Sequence, residues 1–332
     1  MTALTPDDTT PPGSTHEEQD EASGPHDATN PTHFTHVDDL SAGTVERLLD
    51  RAAVRAEDPS DSPLSERTVA LLFEKPSTRT RVSFETGLTR LGGHAQFLGP
   101  DDLQLGAGEP LRDTARALSG YVDGIVARLF DHEDLETLAE YATVPVVNGL
   151  TDAAHPCQTL ADLRTLQQTV GLDAAVTWVG DANNVARSLA VGCALLGVDL
   201  TLTTPAAHGF DEGFLDRLPS VADGGPTPTV TSDPESAVAG ADAVYTDVWI
   251  SMGEDAAGDK RAAFETGGFQ LDADLLSLAA DDAVCLHCLP AHRGEEITDA
   301  VLEGPQSVVW TQAENRLYTQ EALVEHLVAS KE

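Results

Sequence analysis

Short apolar runs alternate with amphipathic segments along most of this chain. Apolar side chains recur at helical spacing over Leu40–Ala56, which predicts a first helix. Nine later apolar runs have the length of strands: Val69–Phe73, Ala95–Leu98, Gly124–Leu129, Val144–Val147, Val176–Gly180, Leu200–Thr203, Ala243–Thr246, Ala283–His287 and Val308–Trp310. Strands that alternate with helices favour parallel sheets with helices on both faces. Because nine strands are many for one open sheet, the pattern predicts an α/β fold with two doubly wound domains, each a parallel sheet flanked by helices.

The predicted division between these domains lies near Asn148–Ala154. We expect a first domain over residues 32–150 and a second over residues 151–313. A long helical pattern over His155–Thr169 would bridge the two. The last amphipathic pattern, over residues 314–330, is expected to pack back on the first domain and complete it.

Acidic side chains dominate the composition. Lys and Arg total 19 against 56 Asp and Glu, which gives a formal net charge of −37. Such a surface repels nucleic acid and anionic membranes, so neither is expected as a partner. In molar salt the Debye length falls to about 3 Å and self-repulsion is screened, so the composition favours a halophilic protein over an ordinary acidic one. Residues 1–31 contain no Lys or Arg and too little apolar surface to order themselves, so a disordered acidic tail of open role is predicted.

The cysteines and the N-terminal sequence indicate where in the cell the protein is expected to work. The cysteines are Cys157, Cys193, Cys285 and Cys288. No early apolar block suggests a signal peptide, and no apolar run reaches membrane-spanning length, so a cytoplasmic protein with reduced thiols is expected. The segment Cys285–Cys288 looks like half of a zinc site, but a second pair at ligand spacing is missing, so no metal is expected.

The most distinctive motif follows the first predicted strand, where Ser77-Thr78-Arg79-Thr80-Arg81 opens a segment of helical spacing. A helix start supplies N–H donors and positive potential, and arginine supplies a planar fork that matches phosphate oxygens. Two arginines in one turn stand out because basic residues are scarce in this chain. The motif predicts a phosphate site, and the alternative is a plain helix cap followed by exposed arginines.

Other polar motifs also follow predicted strands, where ligands bind in open α/β sheets. Arg128 ends an apolar strand and His155-Pro156-Cys157-Gln158 opens the bridging helix, so both could direct donors at a carbonyl oxygen. The turn Asp181-Ala182-Asn183-Asn184 lacks the three-glycine fingerprint of dinucleotide sites. Its amides suit a zwitterionic amino acid instead.

Two later motifs add a carboxylate and a thiol. Asp247 ends a predicted strand and is followed by Ser251-Met252-Gly253. The Gly-rich, charged stretch Gly253–Gly268 is interpreted as a mobile loop that closes over a substrate, with a plain surface loop as the alternative. His287-Cys288-Leu289-Pro290 ends another strand, where the thiol could contact substrate or be inert.

Taken together, these motifs resemble the ornithine carbamoyltransferases, a branch of the aspartate/ornithine transcarbamoylase family, in a halophilic archaeal type. The resemblance covers about residues 34–330 and rests on five motifs in the family's order: Ser77–Arg81, His155–Gln158, Asp247 with Ser251–Gly253, His287–Pro290 and Ala313–Arg316. Aspartate transcarbamoylases carry a lysine in the loop before the second helix. The stretch Asp101–Pro110 has none, which argues against aspartate as acceptor.

The resemblance implies transfer of a carbamoyl group from carbamoyl phosphate to L-ornithine in arginine metabolism, with no cofactor. It implies these contacts for carbamoyl phosphate: Ser77, Thr78, Arg79, Thr80, Gln104, Arg128, His155, Gln158, Cys288, Leu289 and Arg316. It implies these contacts for ornithine: Asn184, Asp247, Ser251 and Met252. Arg128, His155 and Cys288 are the implied catalytic residues, and Gln104 would come from a neighbouring subunit.

The resemblance also implies a homo-oligomer, either a trimer or a multiple of trimers. Two other functions remain open: transfer to another amine such as putrescine, and a non-catalytic paralogue that binds ligand and regulates. Every expected polar position is filled, which counts against the second. The sequence leaves open whether the enzyme serves arginine synthesis or citrulline breakdown, and whether it is allosteric.

Overall fold

Two parallel sheets organise the chain in a computed structural model that describes residues 33–102, 108–251 and 258–329. The predicted disordered tail over residues 1–31 lies outside the described residues. Among those that are described, no helix is both long and apolar enough to cross a membrane.

The first sheet contains four parallel strands in the order β2-β1-β3-β4. Their bounds are Thr68–Phe73 (β1), His94–Leu98 (β2), Gly124–Arg128 (β3) and Val146–Leu150 (β4). Phe73, the last residue of β1, pairs in register with Arg128, the last residue of β3. This register brings Arg128 to the edge where β1 runs into the phosphate motif.

The second sheet contains five parallel strands in the order β7-β6-β5-β8-β9. Their bounds are Ala175–Val179 (β5), Asp199–Thr203 (β6), Thr229–Thr231 (β7), Ala243–Thr246 (β8) and Val284–His287 (β9). The centre of this sheet is apolar and buried, with Trp178 of β5 packed edge-on against Tyr245 of β8 at a ring-centroid distance of 4.9 Å. A buried centre with polar ends confines reactive side chains to the edge of the sheet.

Helices flank both sheets. Their bounds in the described chain are Ala42–Glu57 (α1), Thr78–Arg90 (α2), Leu111–Ser119 (α3), His132–Tyr141 (α4), Pro156–Thr169 (α5), Asn184–Leu196 (α6), Glu212–Val221 (α7), Pro234–Val238 (α8), Gly258–Thr266 (α9), Ala273–Leu276 (α10), Asp299–Leu302 (α11) and Val309–Val324 (α12). Short 3₁₀ turns cover Val37–Asp39 and Ala206–His208, and a π-turn over Glu325–Ala329 follows α12.

The helices that begin at the polar edge have clear start signals. Ser77 caps α2 by accepting the N–H of Thr80 at 3.3 Å. Asn183 caps α6 by accepting the N–H groups of Val185 and Ala186, each at 3.0 Å. α5 begins with Pro156, whose missing N–H costs nothing in a first turn. These caps fix where each polar motif leaves its strand.

The last helix connects the two sheets. α12 packs against α1, α2 and α5, and its N-terminal end lies against β9. Its buried side is polar to an unusual degree: Gln312, Asn315, Arg316, Thr319, Gln320 and Glu321 are all buried. Buried polar groups require partners, so this helix must hydrogen-bond across its interfaces.

The predicted fold class is confirmed, and eight of the nine predicted strands overlap observed ones. The strand predicted over Val308–Trp310 is wrong. The chain here pairs with β9 through a single bridge between Ser307 and Cys285 in the described structure, and α12 starts at Val309. β7 was not predicted because Thr229–Thr231 is a polar, largely exposed edge strand. The domain limits stay predictions.

The loop predicted over Gly253–Gly268 also differs from the structure. Residues 252–257 lie outside the described part, but Gly258–Thr266 form α9. Phe264 anchors this helix in a buried cluster, with its ring stacked on Trp249 at a centroid distance of 5.4 Å. The polar composition of this stretch predicted a loop, whereas the structure forms a helix whose buried residue is Phe264.

Candidate active site

The carboxyl ends of β1, β3 and β4 carry most of the residues predicted to hold carbamoyl phosphate, and α12 supplies one more from the far end of the sequence. Arg316 of α12 is buried and lies at the centre of this group. Its Nη1 donates to Gln158 Oε1 at 2.6 Å and lies 3.2 Å from His155 Nε2. Its Nη2 donates to Thr80 Oγ1 at 3.0 Å. The structure therefore joins four predicted residues from three separate segments.

The contact with Arg316 determines the protonation of His155. A guanidinium only donates hydrogen bonds, so His155 Nε2 must accept and the ring proton must sit on Nδ1. Burial, and then the charges of Arg316 and Arg128, hold the pKa of His155 well below its usual value. The imidazole is thus neutral at physiological pH, and its buried Nδ1 has no hydrogen-bond partner among the described residues.

Arg128 is buried, and no carboxylate among the described residues pairs with it. Burial, followed by the like charges of Arg316 and Arg79, lowers the pKa of Arg128 to about 10. Its Nε and the Nε of Arg316 are both buried with no hydrogen-bond partner in the described structure. A buried donor left unpaired costs about 1–3 kcal/mol, so this part of the site favours a ligand with oxygen acceptors.

The helix start beside these arginines is more open. Thr78 and Arg79 are exposed, Ser77 is half-buried, and Ser77 also donates to Thr80 Oγ1 at 3.1 Å. The first N–H groups of any helix lack intrahelical partners, so α2 presents donors at this end. Arg81 instead pairs with Glu85 at 3.0 Å and stacks on Phe97. Arg81, the second arginine of the motif, therefore makes contacts within α2 and with β2.

The ends of β5, β8 and β9 form the second half of the site around Asp247. One carboxylate oxygen accepts from Asn183 Nδ2 and the other from Cys288 Sγ, both at 2.9 Å. Asp247 is buried, and the described structure shows no arginine or lysine paired with it. A buried carboxylate held by neutral donors suits a ligand that carries an ammonium group.

Cys288 is a neutral thiol in this setting. Burial, and then the neighbouring charge of Asp247, raises its pKa well above the usual value. The thiol therefore acts as a hydrogen-bond donor. The charges of Arg128 and Arg316 also reach Cys288, so the arginine half and the carboxylate half adjoin one another.

Asp247, His287 and Cys288 place potential metal-ligand atoms within 4.8 Å of one another. Each of these atoms already has another role. His287 Nδ1 accepts the N–H of Leu289 at 2.9 Å, its Nε2 lies 3.1 Å from Glu296 Oε1, and the thiol donates to Asp247. A metal would have to displace this network.

The other residues predicted to contact substrate are not all gathered around Arg316 or Asp247. Asn184 Nδ2 donates to the main-chain carbonyl of Thr151 at 2.6 Å, which ties α6 to the loop before His155. Leu289 has a left-handed backbone, with φ of +58°, and turns the chain away after Cys288. Ser251 is half-buried at the end of the described segment. The predicted contacts Gln104 and Met252 lie outside the described residues.

The amide of Asn183, which the sequence predicted to suit an amino acid, instead holds Asp247. Sequence reasoning missed two residues behind the site: Asp162 and Gln312 form buried hydrogen bonds behind Gln158 and Arg316. Their spacing is a weak signal for both. Asp162 lies four residues after Gln158, and Gln312 lies four residues before Arg316, so each shares a helix face with a predicted contact.

A cavity of about 360 Å³ is lined in part by the loop that precedes His155. Its walls include Asp152, Arg187, Ser188 and Phe214, and none of the predicted substrate contacts lines it. The candidate active site is therefore identified by its hydrogen-bond donors and charges, and this cavity is a separate feature.

Two family models together match nearly all of the described chain. The carbamoyl-phosphate-binding domain of aspartate/ornithine carbamoyltransferases matches residues 32–168, and the aspartate/ornithine-binding domain matches residues 173–327. An ornithine carbamoyltransferase of Haloquadratum walsbyi is 53% identical over 301 residues, which are 90% of this chain and 98% of the relative. A catabolic ornithine carbamoyltransferase of Halobacterium salinarum is 49% identical over 298 residues, which are 89% and 99% of the two chains.

The solved structures agree with this assignment. The ornithine carbamoyltransferase of Pyrococcus furiosus superimposes with a TM-score of 0.85 at 43% identity, covering 91% of this chain and 99% of its own. The match includes both sheets and the helices between them. By sequence and by structure, this chain belongs to the aspartate/ornithine carbamoyltransferase family.

Proposed function

We propose that the protein transfers the carbamoyl group of carbamoyl phosphate to the δ-amine of L-ornithine, giving L-citrulline and phosphate. The observation that carries this proposal is the junction of two complementary half-sites. Unpaired donors of Arg128, Arg316 and His155 adjoin the buried carboxylate of Asp247. The first half suits a phosphorylated carbonyl compound, and the second suits the ammonium group of an amino acid.

Carbamoyl phosphate binds through its charge. The start of α2, with Ser77, Thr78, Arg79 and Thr80, holds the phosphate, because a helix N-terminus and an arginine both favour an anion. Arg128 and the Nδ1–H of His155 then direct donors at the carbonyl oxygen. Burial, and then repulsion from Arg316 and Arg79, lowers the pKa of Arg128, and a bound anion relieves that repulsion. In a chain with a net charge of −37, this cluster is a local exception that admits an anion.

Ornithine binds with its α-ammonium toward Asp247 and its carboxylate toward Asn184. Its δ-amine has a reference pKa close to that of lysine, about 10.4, so only the deprotonated form attacks. Attack forms the N–C bond and gives a tetrahedral oxyanion, which Arg128 and His155 stabilise. The C–O bond to phosphate then breaks, and the departing phosphate takes the proton released by the amine. Cys288 donates to Asp247 and orients it, and Leu289 borders the reacting amine.

Positioned donors of this kind account for much of the rate enhancement in acyl transfer. A neutral His155 fits that role, because a neutral imidazole donates from Nδ1 without adding a third charge between two arginines. Gln158, held by Arg316 and Asp162, presents its amide to the carbamoyl group.

The proposal is tested by incubating the purified protein with carbamoyl phosphate and L-ornithine in molar KCl and measuring citrulline. Putrescine and L-aspartate serve as competing acceptors in the same assay. We expect turnover with L-ornithine alone, and turnover with putrescine at equal efficiency would reject the role given to Asp247. Absence of citrulline under all conditions would support the non-catalytic alternative.

Two variants separate the half-sites. Arg79→Ala should weaken carbamoyl phosphate binding while the fold and the ornithine half persist. Asp247→Asn keeps the shape of the side chain, so it should raise the KM for ornithine and leave carbamoyl phosphate affinity unchanged. If both variants lose both substrates equally, the division into two half-sites is wrong.

The acidic composition and the two similar haloarchaeal proteins support a protein that works in the salt-rich cytoplasm of a halophile. The family resemblance supports a trimer, or a multiple of trimers, in which Gln104 of one subunit completes the site of the next. Light scattering in molar KCl measures the mass. Mixing Gln104→Ala with Arg79→Ala subunits should restore part of the activity if sites are shared, and a monomer would contradict the proposal.

A further inference from the structure

A buried chain of hydrogen bonds runs behind the two half-sites and joins them. It begins at Arg316, whose Nη1 holds Gln158 Oε1 at 2.6 Å. Gln158 Nε2 then donates to Asp162 Oδ1 at 2.8 Å. Gln312 Nε2 donates to the same carboxylate oxygen at 2.7 Å. Helices α5 and α12 are thereby locked together through one carboxylate, at positions 150 residues apart.

Gln312 carries this chain from the helices into the second sheet. Its Oε1 accepts the main-chain N–H of His287, the last residue of β9, at 2.9 Å. The side chain of Gln312 is fully buried. A main-chain N–H can only donate, so the Oε1 of Gln312 must face His287 and its Nε2 must face Asp162, whose oxygen accepts.

Side-chain hydrogen bonds hold the turn that follows His287. His287 Nδ1 accepts the N–H of Leu289, and its Nε2 donates to the buried carboxylate of Glu296. Glu296 in turn accepts the N–H of His292 at 2.5 Å. Since the ring of His287 is held at both nitrogens, a displacement of its main chain moves Cys288 and Leu289 with it.

These hydrogen bonds are costly to break, so they link the two half-sites effectively. Rotation of the Gln312 amide by half a turn would leave the His287 N–H without an acceptor. It would also point the Oε1 of Gln312 at the carboxyl group of Asp162. Each buried polar group left unpaired costs about 1–3 kcal/mol. The N-terminal halves of α5 and α12 and the end of β9 are therefore held together by one continuous set of buried hydrogen bonds.

We propose that Gln312 is a positioning residue that couples the carbamoyl phosphate half to the ornithine half. Contacts made by carbamoyl phosphate on Arg316 and Gln158 reach the His287–Leu289 turn through Asp162 and Gln312. This inference rests on the proposed function, because it assumes that both substrates bind in the two half-sites. Coupling of this kind is reciprocal, so each ligand tightens the binding of the other by the same factor.

The test measures that factor directly. The affinity for carbamoyl phosphate is measured in molar KCl, alone and with saturating L-norvaline, an amino acid that resembles ornithine without its δ-amine. We expect norvaline to tighten carbamoyl phosphate binding to the wild type by at least about fivefold. In Gln312→Met the factor should fall below about twofold. Carbamoyl phosphate alone should bind this variant nearly as tightly as the wild type, because Gln312 touches neither substrate.

Gln320 supplies the matched control. It lies two turns further along α12, is equally buried, and neither amide atom has a hydrogen-bond partner in the described structure. Gln320→Met should therefore keep the coupling factor of the wild type. If it loses as much coupling as Gln312→Met, a general loosening of α12 explains the effect and the proposal is wrong.

A second variant guards against loss of folding. Gln312→Leu has nearly the volume of glutamine but neither donates nor accepts a hydrogen bond, so it breaks the contacts with both His287 and Asp162, and coupling should again be lost. Retention of the wild-type factor in either folded Gln312 variant would overturn the proposal. Failure of the wild type to bind carbamoyl phosphate or to form citrulline would instead refute the proposed function, so the two failures are distinguishable.

Discussion

Replacing Arg128 with methionine should make the ligand-free protein more stable while it abolishes most of the activity. The pKa of Arg128 falls from 12.5 to about 10 because the charged form is buried beside Arg316 and Arg79. Each pKa unit corresponds to about 1.4 kcal/mol, so the charge costs the folded state about 3 kcal/mol at neutral pH. Methionine retains most of the buried volume without the charge. We therefore expect the free energy of unfolding to rise by up to about 3 kcal/mol.

The same change should have the opposite effect on function. Loss of one oxyanion donor lowers kcat by about 10²–10³-fold. Saturating carbamoyl phosphate, at about 100 times its Kd, should stabilise the wild type by about 2.7 kcal/mol, and the variant much less. Urea unfolding in molar KCl, with and without carbamoyl phosphate, measures both effects, and a citrulline assay measures the rate.

Arg55 provides the matched control for this prediction. It is equally buried, but it pairs with Glu325 at 2.7 Å and with Asp61. Removing this paired arginine breaks its charged hydrogen bonds and leaves Arg51 as the remaining arginine partner of Glu325 and Asp61, so Arg55→Met should destabilise the protein by about 1.5 kcal/mol. If Arg128→Met destabilises the free protein as much as Arg55→Met does, Arg128 is not an uncompensated charge and the electrostatic reasoning is refuted.

Further outcomes follow from other buried and charged groups. Because burial and Asp247 raise the pKa of Cys288, iodoacetamide at pH 8 should alkylate it far more slowly in the native protein than in urea, as peptide mapping would show; rapid native labelling would contradict a protonated thiol. Burial raises the pKa of Glu321 from 4.5 to about 7, so folding takes up a proton and stability should fall as pH rises across this interval. Glu321→Gln should flatten that slope in pH-dependent urea unfolding, and an unchanged slope would assign it to another group. Lowering KCl from molar to dilute should reduce the melting temperature as acidic repulsion is unmasked, and equal melting in both would defeat the halophilic interpretation.

The local chemistry of the site was readable from the chain because each motif sits where a strand ends. Ser77–Thr80 follow β1, Arg128 ends β3, and Asp247 and Cys288 directly follow β8 and β9. Parallel strands bring their carboxyl ends to one edge, so separate motifs that share this position converge without knowledge of the register. The strand pattern was readable for the same reason, since buried parallel strands are continuous apolar runs.

Errors arose where a pattern was short or a structure depended on one contact. Three apolar residues at Val308–Trp310 fit a strand as well as the first turn of a helix, and only the end of pairing at Ser307 decides between them. The polar edge strand Thr229–Thr231 has no apolar signal, and the helix Gly258–Thr266 is anchored by a single buried Phe264.

The sequence by itself determined the fold class, the family and the chemical character of both half-sites, because those depend on residue type and on position relative to a strand. Only the tertiary structure decided the proton position on His155, the uncompensated charge of Arg128 and the path from Asp162 through Gln312 to His287. The physical reason is that a buried polar group takes its state from its partners. Those partners lie on other elements as far as 236 residues away, as for Arg316 and Thr80, and the order of residues along the chain does not record which of them meet.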